Sequence, residues 1–172
     1  MKFAYTRNTV AADFLTVGYR ISCRVGVPAG GLHVLLIDPL NSYLELEDAY
    51  ISRINNPGEI VAHYGNAALR KDNILFIILA RREDGDTPKG TGSFLKPVPK
   101  QTFLTVPSFE IRGTVETEAN AGPREILVQT AGRFIPLYKA TAATSLSPKN
   151  VFSGKLILVN KEKVEAFCIA ED

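Results

Sequence analysis

Arg20 and Arg24 carry the clearest recognition chemistry in this 172-residue chain. A guanidinium is planar, permanently charged and offers paired donors that match two phosphate oxygens. Four residues apart on a strand, the two side chains share a face. Together they could grip a nucleotide or a single-stranded nucleic acid. Glu45, Glu47 and Asp48 form the densest acidic cluster, and such carboxylates can hold a cation or exchange protons. Alternation puts Glu45 and Glu47 on one face and Leu44 and Leu46 on the other, so we read them as the wet face of a half-buried strand. His33 and His63 have no second histidine at metal spacing, and neither a Gly-x-Ser-x-Gly elbow nor a Cys–His pattern accompanies them. Lys89-Gly90-Thr91-Gly92-Ser93 has its lysine before the glycines, the reverse of a phosphate loop, and reads as linker. Cys23 and Cys168 lack a CxxC partner. Free buried thiols are the reading adopted, with a disulfide as the alternative in an oxidising compartment. Tyr50, Tyr64 and Tyr138 could stack on bases, but without a basic groove they read as packing residues. No catalytic residue, metal ligand or cofactor site is assigned, and an enzyme is not expected.

The elements that must position these groups centre on two look-alike stretches. Tyr43-Leu44-Glu45-Leu46-Glu47-Asp48-Ala49 and Phe134-Ile135-Pro136-Leu137-Tyr138-Lys139-Ala140 each run aromatic, two aliphatics two apart, then alanine, the pattern of a half-buried strand. Upstream, Phe14-Leu15-Thr16-Val17 returns as Phe103-Leu104-Thr105-Val106. Tyr19, Ile21, Cys23 and Val25 then alternate as Phe109, Ile111, Gly113 and Val115 do, which is strand periodicity again. Between these strands, Gly30–Asp38 and Gly122–Gln129 predict one short helix each, the second opened by Pro123 and the first closed before Pro39. Downstream, Leu69-Arg70-Lys71-Asp72-Asn73-Ile74 matches Val159-Asn160-Lys161-Glu162-Lys163-Val164, a turn read as entering the return strand of a hairpin. The predicted fold is mainly β. It comprises a lead-in (1–13, with a possible edge strand at Phe3–Thr6), a first repeat (14–82), a linker (83–102) and a second repeat (103–170). Each repeat is a small curved sheet or barrel with one short helix, and the two pack with pseudo-twofold symmetry.

Composition narrows the partners. Net charge is +2, with ten basic and ten acidic residues in the first ninety positions and ten against eight in the remainder. Neither half has the concentrated positive charge of a duplex-binding domain. The longest apolar run, Ile74–Ala80, is far short of a bilayer span, and the N-terminus has no signal-peptide core. The expectation is a soluble cytoplasmic protein with no membrane partner.

The strand alternation, the short helix, Tyr43–Ala49 and the Arg70-Lys71-Asp72-Asn73-Ile74 segment resemble the Sm-like small β-barrels of uncharacterised bacterial proteins. Ile37-Asp38-Pro39-Leu40-Asn41 is only faintly like that family's Asp-x-Met-Asn, and no Arg-Gly pair stands near the end of either repeat, so the resemblance implies architecture and no RNA-contacting residues. The Arg20/Arg24 spacing also resembles the arginine pair of PilZ domains, the cyclic-di-GMP receptors, without their Asp/Asn-x-Ser-x-x-Gly motif, and that resemblance implies a cyclic-dinucleotide-like ligand. The function expected is a non-enzymatic binding or scaffold protein for a protein or small-molecule partner, and a homo-oligomer is compatible with it. Its ligand cleft would lie at the repeat junction, where clefts commonly form. The alternative is a regulatory domain binding a nucleotide or single-stranded nucleic acid through Arg20 and Arg24.

Overall fold

The computed structural model describes residues 8–85 and 96–171. Ten strands and two short helices follow one another as β1 (Asn8–Leu15), β2 (Tyr19–Val27), α1 (Leu32–Ile37), β3 (Tyr43–Arg53), β4 (Asn56–Arg70), β5 (Phe76–Leu79), β6 (Val98–Val106), β7 (Phe109–Thr117), α2 (Pro123–Gln129), β8 (Phe134–Thr144), β9 (Val151–Asn160) and β10 (Ala166–Ile169). The expected strand at Phe3–Thr6 and the linker motif Lys89–Ser93 lie outside the described residues. β1 and β6 begin ahead of the repeat starts read from sequence.

All ten strands join one antiparallel sheet in the order β10-β6-β7-β8-β9-β5-β1-β2-β3-β4. The sheet is continuous and open, which decides between the two arrangements the sequence leaves available, two small barrels or one shared sheet. The join is β5 against β9, with Phe76 opposite Val159 and Leu79 opposite Leu156. Within the first half the order is β5-β1-β2-β3-β4, and within the second β10-β6-β7-β8-β9. The expected twofold would set a strand against its own counterpart. Here β5, the fifth strand of one half, meets β9, the fourth strand of the other.

The join lies between two cores. Ile77 and Leu79 of β5 and Leu156 and Leu158 of β9 enter the core of the first half, with Phe14, Val25, Leu44 and Leu46. Phe76, Ile78, Ile157 and Val159 enter the core of the second, with Leu104, Phe109, Ile111 and Leu137. Successive side chains on a strand point to opposite faces, so this one strand pair is buried on both sides and feeds both cores. That explains the unbroken apolar run of β5, since a strand covered on both faces has no polar side. The turn Lys71–Asn73 therefore does not lead into a hairpin: β5 pairs with β1 and β9, not with β4.

The organising strands carry a feature that strict alternation misses. Leu44, Leu46 and Ala49 are buried, as are Leu137, Ala140 and Ala142, so the inward phase skips a residue after Leu46 and after Leu137. At the skip, Asp48 has φ 49° and Lys139 has φ 48°. The β2·β3 register shifts between Ser22 and Arg24, and the β7·β8 register between Arg112 and Thr114. Both are β-bulges, which bend and twist the strand. The bend is large enough for Asn150 Nδ2 to reach the carbonyls of Ile54 and Asn55 at 3.3 Å, although several strands separate them in the sheet. At the second bulge Gly113 lets the strands approach closely, because a Cβ there would lie 2.8 Å from the Cβ of Ala140 and force a local shift.

The pairing also corrects the tetrapeptide match. β1·β2 sets Phe14 opposite Ile21, whereas β6·β7 sets Leu104 opposite Ile111. Leu104, not Phe103, stands where Phe14 does, and both are fully buried. Phe103 lies under Arg112, whose guanidinium carbon is 4.5 Å from the ring centroid.

Both cysteines are free; Cys23 is buried and Cys168 exposed, so the buried reading holds for one of them. Burial, with Asp13 adding to it, pushes the Cys23 thiol up to about 12. Maleimide at neutral pH is expected to label Cys168 quickly and Cys23 only on unfolding. Folding favours the Cys23 thiol over its thiolate. Its contribution to stability is thus full below the ordinary thiol pKa and lost as pH rises toward about 12. Ile77→Ala, which opens the fully buried join, is expected to cost about 2–5 kcal/mol. Urea melts followed by circular dichroism should show one transition; two separated transitions would mean that the halves unfold independently.

Candidate functional site

Residues 38–42 leave α1 through a tight local turn. Asp38 Oδ1 accepts the Leu40 N–H at 2.9 Å and Oδ2 accepts from Asn41 Nδ2, an arrangement typical of an Asx turn. The Asn41 and Leu40 donors, with help from Lys71, hold the Asp38 carboxyl below its usual range. Behind this turn sits Lys71, only 4% exposed. Its Nζ donates to the Asp38 carbonyl at 3.0 Å and its backbone N–H to the Ser42 carbonyl at 2.9 Å. An ammonium on the last carbonyls of a helix satisfies acceptors that lack an intrahelical partner and meets the negative end of the dipole. Lys161 does the same at α2, donating to the carbonyls of Thr130 at 2.8 Å and Leu127 at 3.4 Å. The Lys-acid pair read from sequence as a turn signal is thus also a helix cap.

Across the join, Gly132, at φ 78°, turns the chain so that Arg133 faces this loop. Arg133 Nη2 donates to Asp72 Oδ1 at 2.8 Å and lies 3.0 Å from Glu162 Oε2. A recess of about 440 Å³ opens between these groups, lined by Asp38, Asn41, Lys71, Asp72, Gly132 and Arg133 among others. It adjoins a groove of about 730 Å³ lined by β3 (Tyr43, Glu45, Glu47), β4 (Asn66, Ala68), Gly26 of β2 and Leu35 of α1, which shares Asp38, Asn41 and Lys71 with it. The space between His33, Ile37, Gly85, Phe134 and Leu158 measures only about 20 Å³, whereas a separate, mainly apolar cleft of about 640 Å³ opens between Val17, Tyr19, Ile51 and Leu75 of the first half and Pro107 and Lys163 of the second. The junction therefore holds a polar recess as well as this apolar cleft.

Arg20 and Arg24 line none of these spaces. Arg20 is bound by Asp13, Nη2 at 2.6 Å and Nε at 3.2 Å from the same oxygen, and its guanidinium carbon lies 5.5 Å from the Phe152 ring centroid. Arg24 pairs with Asp48 on the bulge. Both guanidinium groups already have carboxylate partners from neighbouring strands. His63 stacks on Tyr50 at 3.9 Å between centroids, directly opposite it in the β3·β4 register, which is a cross-strand packing pair. Among the described residues no hydrogen bond or ion pair joins a histidine to a carboxylate, and no cluster of three or more His, Cys, Asp or Glu could hold a metal. No described helix is long and apolar enough to cross a membrane. Glu45 and Glu47 stand on the groove wall.

Sequence reasoning missed Arg133, Lys71 and Asp72 as a group. Arg133 and Asp72 are 61 positions apart, and only the β5·β9 join brings them together. The available signal was the shared Lys-acid motif, which marked a loop in each half without saying that the loops meet.

No family model, no curated protein and no solved structure matches the chain.

Lys71→Met would leave the Asp38 carbonyl without its donor. It is expected to cost about 1–3 kcal/mol in chemical denaturation, while Arg24→Ala, at an exposed pair, should cost under about 1 kcal/mol.

Proposed function

We propose that the chain is a non-enzymatic binding or scaffold protein built from two tandem five-stranded units, joined head to tail, with its ligand site at their junction. Support for the tandem reading is the common strand order of the halves, the bulges at Asp48 and Lys139 and the lysine caps at Lys71 and Lys161. The observation that carries the site is the recess where Asp38, Lys71 and Asp72 of one unit face Arg133 of the other. Charges of both signs on a concave surface suit a small ligand that itself carries both, with the buried ammonium of Lys71 fixed by the loop it caps. The exposed free thiol of Cys168 suits a reducing, intracellular setting, and the cytoplasm is the compartment proposed. The second reading, nucleotide recognition through Arg20 and Arg24, would require a phosphate to displace Asp13 and Asp48.

A thermal-shift panel of zwitterionic metabolites and of mono-, di- and cyclic nucleotides separates the two, because a ligand that binds only the native state raises its melting temperature. At a hundredfold excess over Kd the gain is about 2.7 kcal/mol. The shift is expected in the parent protein and in Arg24→Ala, and should vanish in Arg133→Ala. A shift lost in Arg24→Ala but kept in Arg133→Ala would move the site to β2. No shift with any member would remove the small-ligand reading.

A further inference from the structure

Among the described residues the β5·β9 join uses one edge from each half and leaves two others unpaired. No described strand pairs with the outer edge of β4 or with that of β10. These two edges stand in the same relation to their own halves as β9 and β5 do to theirs. Leu69, Ala68, Ala67 and Asn66 of β4 lie opposite Leu44 through Glu47 of β3, where Val159, Leu158, Ile157 and Leu156 of β9 lie opposite Ile135 through Tyr138 of β8. Ala166–Ile169 pair with β6 as Phe76–Leu79 pair with β1.

The backbone polarity matches. The Lys71 N–H donates to Ser42, inside the sheet. By alternation, the N–H and C=O groups of Asn66, Ala68 and Arg70 point to the free edge. The Ala170 N–H donates to Gln101, so those of Phe167 and Ile169 point to the other free edge. At the join itself Asn160, in the position of Arg70, donates its N–H to the Leu75 carbonyl at 2.9 Å.

Space also matches. At β9 the wall formed by β8 is covered by the chain leaving β5: the Arg82 guanidinium carbon lies 3.9 Å from the Tyr138 ring centroid, and Gly85 comes so close that a Cβ would be 2.6 Å from Leu156. At β4 the corresponding wall, Tyr43 to Glu47, borders the open groove. Protected sheet edges usually carry proline, lysine or inward charge. Neither Asn66–Leu69 nor Ala166–Ile169 contains any of these.

We infer that β10 of one copy adds to the β4 edge of a second, repeating between molecules the pairing that β5 and β9 make within one. Phe167 would lie opposite Ala68 and Ile169 opposite Asn66 as hydrogen-bonded pairs. Ala166 would face Leu69 and Cys168 would face Ala67 as non-hydrogen-bonded pairs. The contact is heterologous, so it propagates as a ring or an open chain rather than stopping at a twofold dimer. Its side chains are smaller than those at the internal join, where Leu156, Leu158 and Ile78 are buried. The association is therefore reversible, while the internal join is part of the fold. The inference extends the two-unit reading; Ala68 borders the groove that adjoins the recess, but neither Ala68 nor Cys168 lines the recess itself, so ligand binding and assembly can fail separately.

Sedimentation velocity of the full chain across a wide concentration range tests it. The expected result is a weight-average mass that rises with concentration past that of two chains. Ala68→Lys and Cys168→Lys, both at exposed positions, should each remain monomeric at every concentration. Mixed in equal amounts they should give a dimer and nothing larger, because one keeps its β10 edge and the other its β4 edge. A parent protein that stays monomeric overturns the proposal, and so does assembly that survives in either single variant. Register is read separately with Ala67→Cys. Oxidised glutathione should link it to the native Cys168 of the next copy, giving a ladder on non-reducing gels that Ala68→Cys does not give. A ladder from Ala68→Cys alone would refute the stated register.

Discussion

The pairing of four residues of β5 with four of β9 is the constraint on which the rest of this molecule depends. Each half alone is a five-stranded sheet with a short helix. A unit of that size buries too little apolar surface to be comfortably stable. Interleaving β5 and β9 lets each half donate side chains to the other's core: Leu156 and Leu158 go one way, Phe76 and Ile78 the other. Asn160 locks the end of the pair, with its amide nitrogen on the Ile74 carbonyl at 2.8 Å and its amide oxygen accepting from Glu162. It is fully buried, and such a group is tolerated only because its partners are in place.

The same pairing creates the recess. Residues 38–42 and 71–73 belong to the first half and Arg133 to the second, and they meet because β5 and β9 are neighbours. Buried Lys71 fixes the loop that carries Asp38, and Asp72 fixes Arg133. Small displacements of the join would therefore be felt in the recess. The proposed binding role rests on this coupling of a rigid core to a charged opening.

Several features were legible in the chain itself. The alternation of Phe109, Ile111 and Val115, the proline that opens α2 and the apolar run of β5 are local signals, and the structure contains strands and a helix at those places. The bulges were half visible. An alanine three positions after Leu46 and Leu137, rather than two, marks the skipped residue, but period-two reasoning treats it as one more inward position. The tetrapeptide match was misleading, since Phe103 packs under Arg112 while Leu104 takes the core position of Phe14. Identity of letters is weaker evidence of equivalence than the pairing partner across the sheet. Arg20 and Arg24 were chosen on spacing alone, and spacing does not reveal that Asp13 and Asp48 arrive from adjacent strands to hold them.

What the sequence by itself determined is which segments are extended, which are short helices and which faces are apolar, because those depend on side-chain periodicity within about ten residues. Only the tertiary structure decided which edges meet. Backbone hydrogen bonding is the same along every strand, so any open edge can pair with any other until side-chain packing on both faces selects one. Here that selection set β5 against β9, made one open sheet where the sequence allowed either two barrels or a shared sheet, and brought Asp72 to Arg133.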